Sequence, residues 1–436
     1  MFAKNFRKRG AATVAVAAIS ALLLAACSNG GSAPADAPGG DVPDTETTLK
    51  VWSFLPGNYD EGPKAYDEIT AGFNKKFPNV TVDIVDMPYP TYFDQIRNAT
   101  VAQKGPDVVT MYGGAQAYSY KNGLFPLQDS LDPEVKENLK FVDDNYSPDG
   151  NLYILPTGTY GYALLVNQDQ FAEGGVDPKT GLKDWASLLE TCKTLSAKGI
   201  QPIASGWKDG FLFETFMYMI SSQMMDDPTL KKWTVGDIDV DSELFQKATG
   251  YIMDMNEAGC FGGAEALGRS MYNDAFDQYD AGKAAMMATG SLDTAQGSSE
   301  VVPSTTVMPL PQVPDSKFDS FIDAGAEAGW SVTKWTKSPE AAVAFVNYLG
   351  SPEAQQILWD TIGVPPNLTS LSVEGTTPIQ KEFLSLMQNE NNHTGFASFP
   401  LTVLAILERN AAPLIGGTMT PEGFLGQAQS AFAKSK

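Results

Sequence analysis

An α/β fold in more than one domain is what this chain predicts. Short strand-like runs alternate with helical apolar periods from Leu49 onward, the order that builds a sheet with helices on its faces. The length, 436 residues, is also well beyond what one hydrophobic core usually holds.

The elements follow in order. In "TLKVWSF", Leu49, Val51 and Ser53 alternate with Lys50, Trp52 and Phe54 in strand fashion. In "AYDEITAGFNKKFPNV", Tyr66, Ile69, Phe73 and Phe77 recur every three or four residues, and Pro78 ends the helix. "VTVDIVDM" is a second strand, "TYFDQIRNATVAQ" a second helix and "DVVTM" a third strand. Such a β-α-β-α-β order implies a mainly parallel sheet. "YGYALLVNQDQF" reads as a strand running into a helix, and "DWASLLETCKTLSAKG" as a helix closed by Gly199. "IQPIAS" is another strand, "GFLFETFMYMISSQM" a strongly apolar helix and "AAMMAT" a strand before a Gly-Ser turn. "STTVMPLPQ" is extended and Pro-bearing, suited to a passage between domains. Ser338 and Ser351, each followed by Pro and Glu, are N-caps of two consecutive packed helices. Two more helices are expected at 378–389 and 421–434.

The ends set the compartment. Lys4, Arg7, Lys8 and Arg9 precede an apolar run from Ala11 to Ala26, the basic and apolar regions of an export signal. A spanning helix needs about 20 apolar residues, which this run barely approaches, and no later segment reaches it. Leu24, Ala25, Ala26 and Cys27 resemble the lipobox of bacterial lipoproteins, where cleavage leaves a lipid-bearing cysteine first. Residues 1–26 are therefore expected to be a signal peptide and 27–44 a Gly/Ser-containing tether. The formal net charge of −22 becomes more negative once four signal cations leave, which argues against a nucleic-acid partner. The one histidine and three cysteines of the chain exclude a multi-histidine zinc site. Cys192 and Cys260 are either a disulfide or two buried thiols. A calcium loop around Asp143, Asn145 and Asp149 fails because its twelfth position falls on Pro156. No cofactor is implied.

The lipobox, "VWSF", "GPDVVTMYGGAQAYSYKNGLFPLQDSL", "YILPTGTYGYALLVNQDQF", "GKAAMMATGSLDTA" and "SPEAAVAFVNYLGSPEAQQ" together resemble the extracellular solute-binding proteins of ABC importers. The carbohydrate-binding group that includes maltose-binding proteins is the most similar. The resemblance covers about residue 48 to the end. It implies a periplasmic-binding-protein-like fold of two α/β lobes, each with a mainly parallel sheet, joined by crossing hinge strands. The first lobe would take residues 45–156 and 310–366, the second 157–309 and 367–436. It further implies an oligosaccharide ligand held between the lobes, a membrane permease as partner, attachment to the outer face of the cytoplasmic membrane through Cys27, and action as a monomer.

A sugar offers apolar C–H faces to aromatic rings and hydroxyls to paired donors and acceptors. In α/β sheets ligands sit beyond the carboxyl ends of strands, so loops there are the candidates. Trp207 in "SGWKDGF" is the leading platform, against core packing under the next helix. Trp330 in "IDAGAEAGW" is second, with Asp323 and Glu327 as acceptors and glycines that admit close approach. Phe54, Asn58, Tyr112 and Gln116 lie at one sheet edge, while Tyr160, Ser291 and Asp293 lie at the rim of the other. Leu292 stands where many relatives carry an aromatic residue. His393, in "ENNHTGFASF" with Phe396, completes the set. The rival is a surface-anchored glycoside hydrolase, which needs two facing carboxylates about 5–9.5 Å apart. No carboxylate stands in a recognisable catalytic motif, and no G-x-S-x-G elbow is present.

Overall fold

The computed structural model describes residue 42, residues 44–295 and residues 303–435; Cys27 and the expected signal lie outside the described residues. Two sheets organise the chain. The first is built from β1 (Thr47–Ser53), β2 (Val80–Asp86), β3 (Val108–Met111), β4 (Leu155–Pro156) and, from much later, Gly329–Val332. The second uses β5 (Thr159–Asn167), β6 (Gln201–Ile203), β7 (Ala284–Gly290) and β8 (Thr305–Met308), with β9 (Ala324–Ala326) paired to the start of β5. The late strand Gly329–Val332 is β10.

Both sheets are mixed rather than mainly parallel. In the order β2-β1-β3-β10-β4, β1 runs parallel to β2 and β3, but β10 is antiparallel to β3 and β4. In the order β6-β7-β5-β8, only β6 and β7 are parallel. The cause is chain routing. β10 and β5 begin where the chain arrives from the other half of the molecule, so they run opposite to strands that end there. The first three strands do follow the β-α-β-α-β order read from the sequence.

Two hydrophobic cores result. The first gathers Leu49, Val51, Ile69, Phe73, Val108, Leu155, Trp330 and Phe345 among others. The second gathers Leu164, Leu188, Phe213, Met286, Leu407 and Phe424. Leu310 and Val313 pack in the second, so "STTVMPLPQ" stays within that half instead of crossing. The chain passes between cores after Leu155, again before Ala328 and again after Leu368. The first two passages are hydrogen-bonded to each other and to the segment leading into the third: Glu327 N–H donates to Gly158 O at 2.8 Å, and Thr159 N–H to Pro365 O at 2.8 Å.

Local chemistry explains the helices. Helix Gly62–Lys76 buries Tyr66, Ile69 and Phe73 on one face. Ser351 caps helix Pro352–Ile362, its hydroxyl accepting from Ala354 N at 3.3 Å. Ser338 occupies the matching place before helix Pro339–Leu349, yet its side chain makes no cap bond, so the two starts are not chemically alike. Among the described residues no helix is long and apolar enough to cross a membrane.

Cys192, on helix Trp185–Ala197, forms a disulfide with Cys260, 68 positions away, with a Cα–Cα distance of 4.8 Å. Both ends are buried, and Cys260 O accepts from Ile203 N of β6. Replacing both cysteines by Ala is expected to lower unfolding free energy by about 2–4 kcal/mol, read by denaturant titration against the oxidised protein.

Candidate functional site: a cavity between the two cores

A cavity of about 400 Å³ opens where strands of both sheets end or begin. From the first half, Asn58 and Tyr59 follow β1, Tyr89 starts helix Tyr89–Ala102, and Tyr112 follows β3. From the second, Tyr160 and Tyr162 lie on β5, and Gly290, Leu292 and Asp293 continue from β7. Phe211, Glu214, Thr215 and Tyr218 share one face of helix Phe211–Gln223, at the three- and four-residue spacing of a helical stripe. Tyr272 and Phe396 close the wall, and Glu327 comes from the passage just before β10.

The rings form a connected surface. Phe396 meets Tyr112 at 5.4 Å between centroids and Tyr218 at 5.0 Å, all near edge-to-face. Tyr160 and Tyr162 are 5.4 Å apart, and Phe211 and Tyr272 the same. Phe396 thus bridges the aromatic residues of both halves.

Three carboxyl groups stand among these rings. Asp293 Oδ2 accepts from Thr289 Oγ1 at 2.9 Å and from Gly290 N at 3.1 Å, yet burial raises its pKa. Glu214 Oε2 accepts from the Tyr218 hydroxyl at 3.1 Å, while its other oxygen has no hydrogen-bond donor. Burial pushes Glu214 well above the usual carboxylate range, and the adjoining Glu408 pushes it further. Gly210 permits this arrangement: its φ is +79°, and a Cβ there would lie 2.2 Å from Glu408 Cα. Glu327 is partly buried at the cavity wall, and desolvation lifts it to about 7, with Asp293 adding repulsion.

Of the residues singled out from the sequence, Asn58, Tyr112, Tyr160, Asp293 and Glu327 line this cavity. The others do not. Trp207 is fully buried in the second core, 4.8 Å edge-to-face from Phe261. Trp330 is fully buried in the first core against Tyr66, its indole N–H donating to Thr157 Oγ1 at 3.3 Å. Phe54 packs among Tyr89, Tyr92 and Phe93 behind the wall. Gln116 is buried with both amide atoms unpartnered. Ser291 turns inward to accept from Gly161 N at 3.2 Å. Asp323 is buried and accepts from the Ser222 hydroxyl. His393 is buried, its ring nitrogens each 3.0 Å from a carbonyl, those of Asn391 and Ser222. Residues missed were chiefly Glu214, Tyr218, Tyr59, Tyr89 and Tyr272. The helical stripe Phe211, Glu214, Tyr218 in an otherwise apolar helix was the signal available for two of them.

Two α/β halves with separate cores, connected by paired passages and facing a shared cavity, define a two-lobed binding protein. The sequence profile of the family described as bacterial extracellular solute-binding protein matches residues 57–356, and the chain belongs to that family. It is accordingly a binding protein and not an enzyme. The arabinooligosaccharide-binding protein of Halalkalibacterium halodurans is 22% identical over 339 residues, 75% of this chain and 73% of that protein. The galactooligosaccharide-binding protein of Bacillus subtilis is 24% identical over 370 residues, covering 82% and 80%. A solved chitin oligosaccharide binding protein, 20% identical, shares the fold with a TM-score of 0.76 over 90% of this chain and 99% of that one.

Burial lifts both Glu327 and Asp323 to about 7 in the folded protein. Because the folded state then holds more protons than the unfolded one, their contribution to stability is greatest near pH 4 and is lost as pH rises through about 7. The ligand-free protein is expected to melt at lower temperature at pH 8 than at pH 5.5, and Glu327→Gln to reduce that difference. A pH series of thermal melts reads both.

Proposed function

We propose that this chain is the lipid-anchored substrate-binding protein of an ABC transporter, which captures an oligosaccharide between its lobes and delivers it to a membrane permease. One observation carries the reading: seven tyrosines from both halves line a single cavity, interleaved with Asn58, Glu214, Asp293 and Glu327. Rings suit the C–H faces of sugar units, and the polar groups between them suit hydroxyls. The named relatives bind arabinooligosaccharide and galactooligosaccharide, which supports the same ligand class.

The lobes are drawn as residues 45–156 with 328–371, and 157–327 with 372–436. Packing of Leu310 and Val313 with the second core supports a boundary at Ala328 in place of 310, and packing of Leu368 and Leu371 with the first supports one after Leu371 in place of 366. Ligand contacts made to both lobes at once favour the closed arrangement, and only that differential affinity can shift the equilibrium. The three paired passages are the hinge. Cys27 carries the lipid, which holds a monomeric receptor at the outer face of the cytoplasmic membrane. The permease is the remaining partner.

Calorimetry with oligosaccharides is expected to give saturable heat with no product on chromatography. Tyr162→Ala, which removes a cavity ring, is expected to weaken binding by about 1.5 kcal/mol, roughly tenfold in Kd. Trp207→Ala is expected to leave Kd nearly unchanged and to lower stability by about 3–5 kcal/mol, as deletion of a core indole does. Equal binding by Tyr162→Ala and wild type, or release of shortened sugar, counts against the reading. Replacing Cys27 by Ala is expected to move the protein from the membrane fraction into the medium and to abolish labelling by a radioactive fatty acid.

A further inference from the structure

We propose that the cavity is matched to a carbohydrate bearing protonated amines, an oligosaccharide of amino sugars, in preference to a neutral or acidic one. The inference rests on the carbohydrate reading above and narrows it.

Charge balance within the wall is the first argument. Glu214, Asp293 and Glu327 all line the cavity, and among the described residues no Lys, Arg or His does. An acidic sugar would meet three carboxyl groups and no cation, so it is disfavoured by both repulsion and lost solvation. A neutral sugar needs donors for its oxygen atoms as well as acceptors for its hydroxyl protons. Among the lining side chains the donors are the tyrosine hydroxyls, Asn58, Thr215 and any carboxyl that holds its proton, and pairing with an amine keeps those carboxyls as acceptors. An ammonium group is donor only, and it supplies the positive charge that this wall lacks.

Glu214 gives the second argument. It is almost wholly buried at 7% exposure, one oxygen receives no hydrogen bond from an N–H or hydroxyl group, and its side chain pairs with that of another acid, Glu408. Asp209 adds a further negative influence on it. Two adjoining acids stay together by sharing a proton, and one protonated amine would take that proton's place as their counter-charge. Glu327, which accepts from the Ala328 backbone, also has an acid, Asp293, as its charged neighbour, with Tyr59 and Tyr66 near it.

The rings favour the same cargo. A cation within about 6 Å of a tyrosine face is attracted by the ring quadrupole, and the effect strengthens where water is excluded. Tyr162 and Tyr218 lie 6.4 Å apart beside Glu214, so one amine could meet a ring and a carboxylate together. The whole chain's formal net charge of −22 biases long-range approach toward cations.

The test is calorimetry of the purified protein at pH 6.5 with four trisaccharides: β-1,4 glucosamine trimer, its tri-N-acetyl form, cellotriose and trigalacturonate. The glucosamine trimer is expected to bind at least tenfold more tightly than the acetylated trimer and cellotriose, with trigalacturonate giving no heat. Raising salt, Glu327→Gln and Asp293→Asn are each expected to erode that advantage more than they affect a neutral sugar. A neutral trisaccharide that binds as tightly as the amine form, or any binding of trigalacturonate, overturns the amine preference and leaves the carbohydrate reading standing. Silence from all four and from a wider panel of neutral oligosaccharides overturns the carbohydrate reading, and this inference with it.

Discussion

Backbone groups that leave one core for the other cannot remain unpaired where water is scarce, and the chain meets this constraint by pairing its first two passages with each other and with the segment that leads into the third. Thr159 donates to Pro365, Glu327 to Gly158 and Tyr162 to Asp323, while β5 and β9 share a short ladder over Thr159–Gly161. The passages therefore form one hydrogen-bonded strip and not three loose linkers. Side chains that project from it, Tyr160, Tyr162 and Glu327, acquire fixed positions at the base of the cavity. Both sheets then place their strand ends toward the same space, because β1, β3 and β7 end there while β5 and β10 begin there.

That geometry decides what the cavity can hold. Apolar rings alone would make a dry pocket indifferent to hydroxyl pattern; acids alone would prefer water. Interleaving the two lets each carboxyl sit against a ring edge or a tyrosine hydroxyl, as Glu214 does with Tyr218. The cost is visible in the upward shifts of Glu214, Asp293 and Glu327, all caused first by burial. A bound partner rich in donors would reverse much of that cost, which is why the same groups dominate the ligand argument.

Much of the fold was legible because its signals are local. Alternation in "TLKVWSF", the helical period of Tyr66, Ile69 and Phe73, and Ser-Pro-Glu at 351–353 each depend on a few neighbouring residues. Sheet polarity was not legible, since it depends on where distant passages return. The site shows the same division. Asn58, Tyr112, Asp293 and Glu327 follow or precede strands, a rule that sequence can apply. Trp207 satisfied the same rule and failed, because its flanking glycines serve crowded backbone: a Cβ on Gly206 would lie 2.3 Å from Ser270 O. Glu214 and Tyr218 escaped notice since the helix was judged by its overall apolarity, which conceals a short mixed stripe.

Three residues expected to touch ligand act instead one layer behind it. Asp323 accepts from the Ser222 hydroxyl, and that same hydroxyl accepts from Gly395 N at 3.1 Å. His393 reaches Ser222 O, Trp233 donates to Gly395 O at 2.8 Å, and Ser291 accepts from Gly161 in β5. A neutral imidazole has one N–H, so His393 can satisfy only one of its two carbonyl neighbours at a time. The ring therefore works less by strong bonding than by filling the space beside Phe318 and Phe321, 5.6 Å and 5.0 Å away. Together these contacts tie the end of helix Phe211–Gln223, the passage at Asp323 and the segment carrying Phe396 into one unit. Because Phe396 bridges the rings of both halves, the placement of that one side chain makes the buried polar layer a determinant of cavity shape even though it never lines the cavity.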